Sequence, residues 1–354
     1  MPSDDSLSVL PAAETDRAAW DGFVLGPARG CVLQTWGWGE LRRRYGWTVD
    51  RLCALDAEGR VAGVMQLQSR TGRLPLGLAY APRGPAIGDV GRDGRVALGL
   101  IDAARGLARR RRALLLKLDP EWPRDEPATA AVLAAAGARA SWYDVQHRST
   151  YLVDLDGGAD AVLSRVKSST RHHIRRAERD GVEVTLSSDA GVAVCDFHPL
   201  FVETADRNRI VAREAGYYGS VVDCLAGSCP VAVLVARVAG EPAAAMIAVA
   251  AGPRLVYLFG ASAPRLAHSH PAYLLHWKAI LWGIDHGCTI YDMWGVPPHE
   301  DPSAPGAGYF EFKTRWNGRI ARHIRCQEIR PWPLFGPLPR LAERIALRGR
   351  PLLS

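Results

Sequence analysis

Residues 233–249 read Val-Leu-Val-Ala-Arg-Val-Ala-Gly-Glu-Pro-Ala-Ala-Ala-Met-Ile-Ala-Val. Two apolar runs flank the turn glycine, Gly240, and this pattern predicts a β-hairpin. An earlier segment, 52–68, has the same pattern around Gly59. Aligning the two glycines also aligns Met65 with Met246, which indicates an internal duplication at an offset of about 180 residues.

The elements that follow each hairpin repeat in the same order. Each copy continues with an apolar strand, a helix with apolar residues at helical spacing and a last buried strand, at 78–85, 94–110 and 113–118 and then at 255–260, 271–286 and 289–295. This order predicts a mixed α/β (α+β) fold with two like domains. We assign them to residues 1–150 and 151–330, followed by a basic amphipathic tail over 331–354. A cleft between two domains is a favoured place for a ligand.

Composition limits the classes of partner and compartment. The chain has 354 residues, 48% of them hydrophobic, and its net charge of +7 favours a polyanionic partner such as RNA, a phosphorylated small molecule or an anionic membrane face. It lacks an apolar segment long enough to span a membrane and a recognisable signal peptide. The seven scattered cysteines lack metal-site spacing, so we expect a cytoplasmic protein without a metal. The tail could dock on the body or rest on the inner membrane face.

Lys313 is the candidate for a fixed positive charge. It lies in the stretch 309–318, which alternates apolar and polar residues after a Gly- and Pro-rich loop and so predicts a half-buried strand. A lysine held between Phe312 and Trp316 beside a loop suits a site. The alternative is an edge strand whose lysine faces solvent.

Arginines form two further candidate sites. Arg171, Arg175 and Arg179 recur every four residues on a predicted helix, so they form one basic ridge that either binds phosphates or is simply solvated. Arg213, before Tyr217, could clamp a phosphate bidentately or form a surface ion pair.

Residues 34–47 predict a turn and a helix rich in tryptophan. Trp38 and Arg42 on this helix either line a pocket, with the arginine directed at an anion, or pack in the core.

Seven blocks in a fixed order resemble the Fem (FemABX) aminoacyltransferases over residues 20–330. The blocks are Gln34–Trp38, Tyr80–Pro85, Leu116–Pro120, Arg171–Gly181, Tyr257–Ser262, Tyr291–Val296 and Phe312–Lys313. The resemblance implies two tandem GNAT-like (acyl-CoA N-acyltransferase-like) domains. The long coiled-coil arm of some members is absent. These enzymes transfer an amino acid from aminoacyl-tRNA to the stem peptide of a peptidoglycan precursor, which is UDP-linked or lipid-linked.

The resemblance also implies roles for individual residues. Lys313 matches the family's transition-state lysine, and Asp119 matches an aspartate near the acceptor amine. Arg213 matches an arginine that holds the precursor's phosphates, and Tyr217 matches a tyrosine beside that arginine. We expect further substrate contacts from Trp38, Arg42, Arg83, Tyr257 and Phe259, and tRNA contacts from Arg171, Arg175 and Arg179. A departure occurs at Glu40, where the family has a phosphate-binding lysine; Arg42 is the nearest substitute. Phe259 stands where similar proteins often have tyrosine.

The expected chemistry needs no cofactor and no metal, because an aminoacyl ester is already activated. Either Asp119 or the terminal ribose hydroxyl of the RNA could take the proton of the acceptor amine. We expect a monomer that binds aminoacyl-tRNA and a precursor or peptide acceptor, with peripheral membrane contact as an option.

Three other functional hypotheses are compatible with the sequence. An acetyl-CoA N-acetyltransferase would need a pyrophosphate-binding loop between a strand and a helix, and the near-matches Arg60–Gly63 and Arg237–Gly240 lie in hairpins. A non-catalytic RNA-binding protein would leave Lys313 and Asp119 without roles. A tRNA-dependent transferase of antibiotic biosynthesis would keep the chemistry and change the acceptor to a peptide.

Overall fold

The computed structural model describes residues 7–27, 31–71, 77–208, 210–297, 299–301, 303 and 307–332. The chain divides into two compact units. The first comprises 1–26, 33–148 and 322–354, and the second comprises 27–32 and 149–321. The predicted amphipathic tail lies outside the described residues from 333 onwards. Within the described part, no helix combines the length and apolar character that crossing a membrane requires.

The described residues form strands and helices in alternating groups. The strands are β1 (Ser8–Pro11), β2 (Thr48–Leu55), β3 (Val61–Thr71), β4 (Gly77–Ala81), β5 (Ala86–Ile87), β6 (Ala113–Leu118), β7 (Arg139–Ala140), β8 (Ser149–Asp154), β9 (Glu183–Ser187), β10 (Val231–Val238), β11 (Glu241–Ala251), β12 (Arg254–Ser262), β13 (Ile290–Gly295), β14 (Arg319–Arg322) and β15 (Gln327–Ile329). The α-helices are α1 (Arg17–Val24), α2 (Trp36–Arg44), α3 (Gly94–Arg110), α4 (Pro127–Ala135), α5 (Gly158–Arg165), α6 (Ser168–Arg179), α7 (Ala190–Val192), α8 (His198–Asn208), α9 (Ala215–Ala226), α10 (Pro271–Asp285) and α11 (Gly308–Thr314).

The sheet of the first unit has the order β1-β2-β3-β4-β6-β15-β7, with β5 paired to β3. Its strands pair antiparallel except β4 and β6, which run parallel. Parallel strands need a crossover, and α3 supplies it. The apolar face of α3, including Leu100 and Ile101, packs against Met65 and Leu116 of the sheet in one core.

The sheet of the second unit has the order β14-β8-β13-β12-β11-β10-β9. Here β12 and β13 are the parallel pair, joined by the crossover helix α10. Leu274 and Ile280 of that helix pack against Met246 and Leu255 of the sheet.

The internal duplication is visible in the two sheets. The order β2-β3-β4-β6 with α3 repeats as β10-β11-β12-β13 with α10, and the strand directions are the same in both copies. Gly59 and Gly240 both adopt positive φ, 76° and 81°, which a side chain disfavours. Met65 and Met246 are both fully buried. The predicted mixed α/β fold with two like halves is therefore confirmed.

The copies differ where their parallel strands end. In the first unit, β4 stays paired with β6 as far as Ala81 and Leu118. In the second unit, the pairing of β12 with β13 stops at Val256 and Asp292, although β12 continues to Ser262. The two strands therefore separate in the second unit alone, and the separation leaves room between them.

The prediction of a strand over 309–318 is wrong, because residues 308–314 form the helix α11. The buried side chains are Phe310, Lys313 and Trp316, which recur at a helical spacing of three. Glu311 and Arg315, one turn apart on the exposed side, form an ion pair of 2.6 Å. The apparent alternation arose because Lys313 was counted as an outward-facing polar residue.

Candidate active site

Lys313 lies on α11 with its side chain directed into the second unit. The residue is only 6% exposed, although lysine is almost never buried without a reason. Its Nζ donates to the carbonyl oxygen of Gly295 at 2.6 Å and approaches that of Trp294 at 3.4 Å. The ring centroid of Tyr309 lies 5.1 Å from the same nitrogen. These contacts hold one amine at a defined point.

Burial sets the charge of this amine. Loss of hydration lowers the pKa of Lys313 to about 7, and the carboxylate of Asp292 opposes that shift. The amine therefore exists in both forms at neutral pH. Negative charge developing beside it would stabilise the protonated form.

Asp292 shapes the turn that holds the lysine. It accepts hydrogen bonds from the hydroxyl of Thr150 and from the backbone N–H of Trp294 at 2.8 Å, and Arg254 lies 3.4 Å from its second oxygen. Trp294 has a positive φ of 65°, unusual for a residue with a side chain. The aspartate thus fixes the turn whose carbonyl oxygens face Lys313. The sequence blocks contain Asp292, but nothing in them assigned it a role.

A cavity of about 550 Å³ opens beside Lys313 within the second unit. It lies where β12 and β13 separate, and α8, α10 and α11 supply other walls. Many lining residues are small; the full lining is Thr204, Arg207, Asn208, Ala244, Ala245, Tyr257, Gly260, Ala261, Ser262, Ala272, Leu275, His276, Met293, Gly308, Tyr309, Phe312 and Lys313. A largely apolar cavity with a few polar groups and a perturbed titratable residue is typical of a ligand site.

Tyr257 and His276 bring polar atoms into this cavity. Burial raises the pKa of Tyr257 to about 12, so its hydroxyl remains protonated. His276 forms a hydrogen bond of 2.7 Å between Nδ1 and the hydroxyl of Tyr291. Burial first, and then the charge of Lys313, lower the pKa of His276 to about 3, so this imidazole is neutral under ordinary conditions. Sequence reasoning missed His276, which lies inside an apolar helical pattern.

Arg213, Tyr217 and Phe259 form a second group in the same unit. The guanidinium of Arg213 lies 5.0 Å from the ring centroid of Tyr217, and Tyr217 meets Phe259 edge to face at 6.5 Å. The backbone of Arg213 is fixed by the hydroxyl of Tyr218 and the ring of His198. The structure therefore brings these three predicted residues together, but none of them lines the cavity beside Lys313. Phosphate binding by Arg213 and substrate contact by Tyr217 and Phe259 stay predictions.

Asp119 and Arg83 belong to the first unit. The carboxylate of Asp119 accepts from the Tyr80 hydroxyl, the Arg83 backbone N–H and the Gln146 backbone N–H at 2.8, 2.8 and 3.2 Å. Burial raises the pKa of Asp119 to about 6, although Arg83 and these donors oppose the shift. Arg83 also donates to the carbonyl oxygen of His147 at 2.8 Å. Three donors make Asp119 a well-supported structural carboxylate, and its role as a base stays a prediction.

The contacts of Glu40 within the first unit account for an acidic residue at this position. Glu40 lies 2.8 Å from Nη2 of Arg51, a side chain that is almost fully buried. That guanidinium stacks 3.7 Å from the ring centroid of Trp36 and donates to its carbonyl oxygen. Glu40 therefore neutralises a buried arginine.

Trp38 and Arg42 lie about one turn apart on helix α2, and both side chains are buried. The Arg42 guanidinium lies 4.6 Å from the ring centroid of Trp47. This favours the packing interpretation of the tryptophan-rich helix. Neither residue lines the Lys313 cavity.

The three arginines of the basic ridge on α6 differ in their contacts. Arg171 donates to the carbonyl oxygens of Ser164 and Val166, so it caps the end of α5. Arg175 and Arg179 are exposed on the outer face. Only the latter two are free to meet a phosphate in the way the ridge hypothesis requires. In the described part of the chain, no group of His, Cys, Asp and Glu side chains is arranged to hold a metal ion.

The fold is that of two tandem GNAT-like domains, as two solved structures and one family model indicate. A model of the acetyltransferase (GNAT) domain matches residues 164–314, the segment that includes Lys313 and most of the cavity lining. Among solved structures, FemX superposes with a TM-score of 0.82 at 20% identity, covering 95% of this chain and all of that one. A tandem GNAT protein from the clavulanic acid biosynthesis pathway superposes with a TM-score of 0.59 at 16% identity, covering 93% and 99% of the two chains.

The sequence comparison indicates which kind of acyltransferase the chain resembles. The lipid II:glycine glycyltransferase of Staphylococcus aureus (strain USA300) is 21% identical to this chain, and the alignment covers 93% of this chain and 94% of that protein. The resemblance to the Fem aminoacyltransferases is therefore confirmed, and the similarity supports an enzyme of the aminoacyltransferase class.

Proposed function

We propose that this protein transfers an amino acid from aminoacyl-tRNA to an amine of a peptidoglycan precursor stem peptide, UDP-linked or lipid-linked. The relative that aligns along nearly the whole chain is named for glycine transfer to lipid II, which supports this class of acceptor. The net charge of +7 suits an RNA-borne donor. Such a donor is cytoplasmic, and a lipid-linked acceptor would bring the enzyme to the inner membrane face.

The observation that carries the proposal is the buried amine of Lys313 at the cavity where β12 and β13 separate. In the reaction, the acceptor nitrogen attacks the ester carbonyl carbon and the carbonyl oxygen becomes an oxyanion. As the tetrahedral intermediate collapses, the C–N bond remains and the bond to the ribose oxygen breaks. The Lys313 ammonium donates to the oxyanion, and one such donor typically contributes about 10²–10³ in rate.

The proton balance involves the nucleophile and the leaving group. The acceptor amine loses a proton and the departing ribose oxygen gains one. An adjacent ribose hydroxyl can pass that proton directly. Asp119 is the alternative base; its pKa is raised to about 6, which is still below neutral pH, so most of the carboxylate is ionised there.

The cavity suits the reacting ends of two substrates. Its volume of about 550 Å³ falls within the range of small-molecule sites. The wall at Ala244, Ala245 and Ala261 is apolar and small, whereas Tyr257 and His276 are polar residues of the lining. We infer that the aminoacyl group lies against the small residues with its carbonyl directed at Lys313.

A second acceptor class has one observation in its favour. The position that holds a phosphate-binding lysine in the Fem family is Glu40 here, and this carboxylate neutralises Arg51. An acceptor without phosphates, such as a peptide natural product, would not need a cation at that position. The acceptor is therefore the part of the proposal that the experiment must resolve.

The test is incubation of the full chain with a mixed pool of charged tRNAs and one acceptor at a time, followed by mass spectrometry of the products. The acceptors are UDP-linked stem peptide, lipid-linked stem peptide and the same peptide without phosphates. Acetyl-CoA replaces tRNA in a parallel arm. A product that gains one amino acid residue is expected only with tRNA, and product from the phosphate-free peptide alone would favour the second acceptor class. Product from acetyl-CoA alone would overturn the proposal.

Lys313→Met tests the central residue, with Lys278→Met as its matched control because Lys278 is an exposed lysine of the same unit. We expect Lys313→Met to lose transfer while still binding tRNA in a filter assay, and Lys278→Met to retain it. Wild-type turnover by Lys313→Met would refute the assignment. Binding of tRNA by the wild-type chain without transfer to any acceptor would indicate a non-catalytic RNA-binding protein.

A further inference from the structure

Four arginines converge on a second cavity, which lies in the first unit and has a volume of about 300 Å³. It is formed by the C-terminal end of α3, by β7 and by the end of β15. Arg105 and Arg109 come from the helix, Arg139 from β7, and Arg330 from the residue after β15. These positions are far apart in sequence, so the tertiary fold assembles the cluster.

Arginine side chains that line this cavity can still donate hydrogen bonds to a ligand. Arg105 pairs with Asp102 at 2.8 Å and donates to a carbonyl oxygen, and Arg109 donates to the Pro331 carbonyl oxygen at 2.6 Å. The Nε of Arg330 is buried and lacks a hydrogen-bond partner within the described structure. Arg139 is exposed on a two-residue edge strand. A buried donor without a partner costs free energy that an anion would recover.

The carboxylate of the lining does not cancel this charge. Glu328 is buried, and its strand register places it opposite Lys117, which is also buried. The Lys117 amine donates to the Ser141 hydroxyl, and the single carboxylate of Glu328 can offset at most one of the four guanidinium charges. The dipole of α3 disfavours an anion at the helix C-terminus, but this effect is weak beside four guanidinium groups.

The basic surface extends beyond the cavity. Arg110 and Arg112, at the end of α3, are exposed. Arg111 between them pairs with Asp50 at 2.7 Å. Four guanidinium groups at one concavity, with exposed arginines close to them in sequence, suit a ligand with several phosphates rather than one.

We propose that the arginine cavity and its rim bind the phosphate backbone of RNA. This inference rests on the proposed function and deepens it, because it assigns the first unit a contact with the RNA that carries the amino acid. Guanidinium groups bind phosphate oxygens bidentately. Such contacts fix the position of an RNA without reading its sequence.

RNA fits the cavity better than an anionic membrane surface does. A phosphate that protrudes from a nucleic-acid backbone can enter a concavity, whereas a plane of lipid headgroups meets only the rim. Membrane-surface binding also uses exposed apolar side chains, and the large exposed hydrophobic residues among those described do not line this cavity.

The test measures the affinity of the full chain for uncharged tRNA over a range of salt concentrations. Arg139→Ala with Arg330→Ala is compared with Arg60→Ala plus Arg124→Ala, which removes the same net charge from exposed sites of the same unit. We expect the first double variant to bind about tenfold more weakly, with the slope of log affinity against log salt reduced by about one to two. The control should stay within about twofold of the wild type. Thermal unfolding of both variants verifies that each is folded.

Two further measurements keep the inference falsifiable. The double variant Arg139→Lys with Arg330→Lys should keep the wild-type salt slope, because a point charge suffices for counterion release. Equal losses in both alanine double variants would show a general charge effect and overturn the site. Loss of binding to phosphatidylglycerol vesicles without loss of tRNA binding would instead assign the cavity to a membrane surface.

The failure of this site and the failure of the proposed function are distinguishable. Transfer is measured from aminoacyl-tRNA and from the aminoacyl ester of a dinucleotide, which lacks the extended phosphate backbone that the arginine cavity is proposed to bind. We expect the arginine double variant to raise KM for the tRNA and to leave kcat, and all parameters for the short ester, unchanged. If the wild-type chain transfers from neither donor, the proposed function fails, and the tRNA-binding measurement still decides the site.

Discussion

The hydroxyl of Tyr257 occupies the space where a side chain on Gly260 would begin. A Cβ built on Gly260 would lie 1.5 Å from that oxygen and 2.1 Å from Cζ of the ring. Both residues line the cavity beside Lys313, so the glycine determines where the tyrosine lies. Its conformation is ordinary, and the requirement for glycine here is one of space alone.

Gly260→Ala should therefore displace the Tyr257 ring and impair the reaction. We expect kcat/KM to fall by about 10²-fold, since misplacing a positioning group by an ångström has that scale of effect. Gly106→Ala is the control, because a Cβ there meets only the flexible end of Arg110 at 4.0 Å on the exposed side of α3. The control should keep full activity, and equal kinetics in both variants would contradict the role assigned to the Tyr257 position.

The depressed pKa of Lys313, about 7 against 10.5 in the unfolded chain, predicts a pH dependence of stability. Between these values the unfolded state binds more protons than the folded state, so the free energy of unfolding rises with pH. The slope should be on the order of 1 kcal/mol per pH unit above pH 7 and should disappear in Lys313→Met. Denaturant unfolding at pH 7, 8 and 9 measures it. Parallel curves for the two proteins would show that Lys313 is not buried as described.

The raised pKa of Asp119, about 6 against 3.8, predicts the opposite trend at lower pH. The folded state holds a proton that the unfolded state releases between about pH 4 and 6, so this group's contribution to stability is lost as pH rises through that window. Asp119→Asn removes this trend. It also places an amide N–H₂ against one of the N–H or O–H donors that now face the carboxylate, which should destabilise the fold by about 1–3 kcal/mol.

The same variant separates structure from catalysis at Asp119. If the carboxylate is the base, kcat of the folded variant should fall and its pH profile should lose the limb near pH 6. If kcat keeps its profile while only stability declines, the ribose hydroxyl is the better candidate for the proton acceptor.

The contacts of Glu40 predict that its substitution changes the stability of the fold rather than the binding of substrate. Glu40→Ala leaves the Arg51 guanidinium without its carboxylate partner, and we expect a loss of about 1–2 kcal/mol, discounted because Glu40 is partly exposed. Glu40→Lys should destabilise more, since two cations would then lie side by side. Chemical denaturation measures both. A lysine variant that gains affinity for a phosphorylated acceptor without losing stability would refute the structural role.

Much of the fold was predictable because its signals are local. Apolar runs around Gly59 and Gly240 specify hairpins within a few residues, and the helical spacing of α3 and α10 is readable from their own segments. Seven residues of α11 were too few to distinguish a helix from a strand, since a buried lysine imitates a solvent-facing one. The neighbouring aromatic residues Phe312 and Trp316 nevertheless predicted that Lys313 belongs to a site.

The sequence by itself determined the duplicated α/β body and predicted Lys313 as the candidate lysine, because periodicity and residue type act over short distances along the chain. Only the tertiary structure decided that β12 and β13 separate after Val256 and Asp292, that His276 faces the resulting cavity, and that Arg139 and Arg330 lie together. Each of these depends on where a strand pairing stops or on contacts between distant segments. Chain entropy opposes such contacts, and only the packing of the whole core compensates for it.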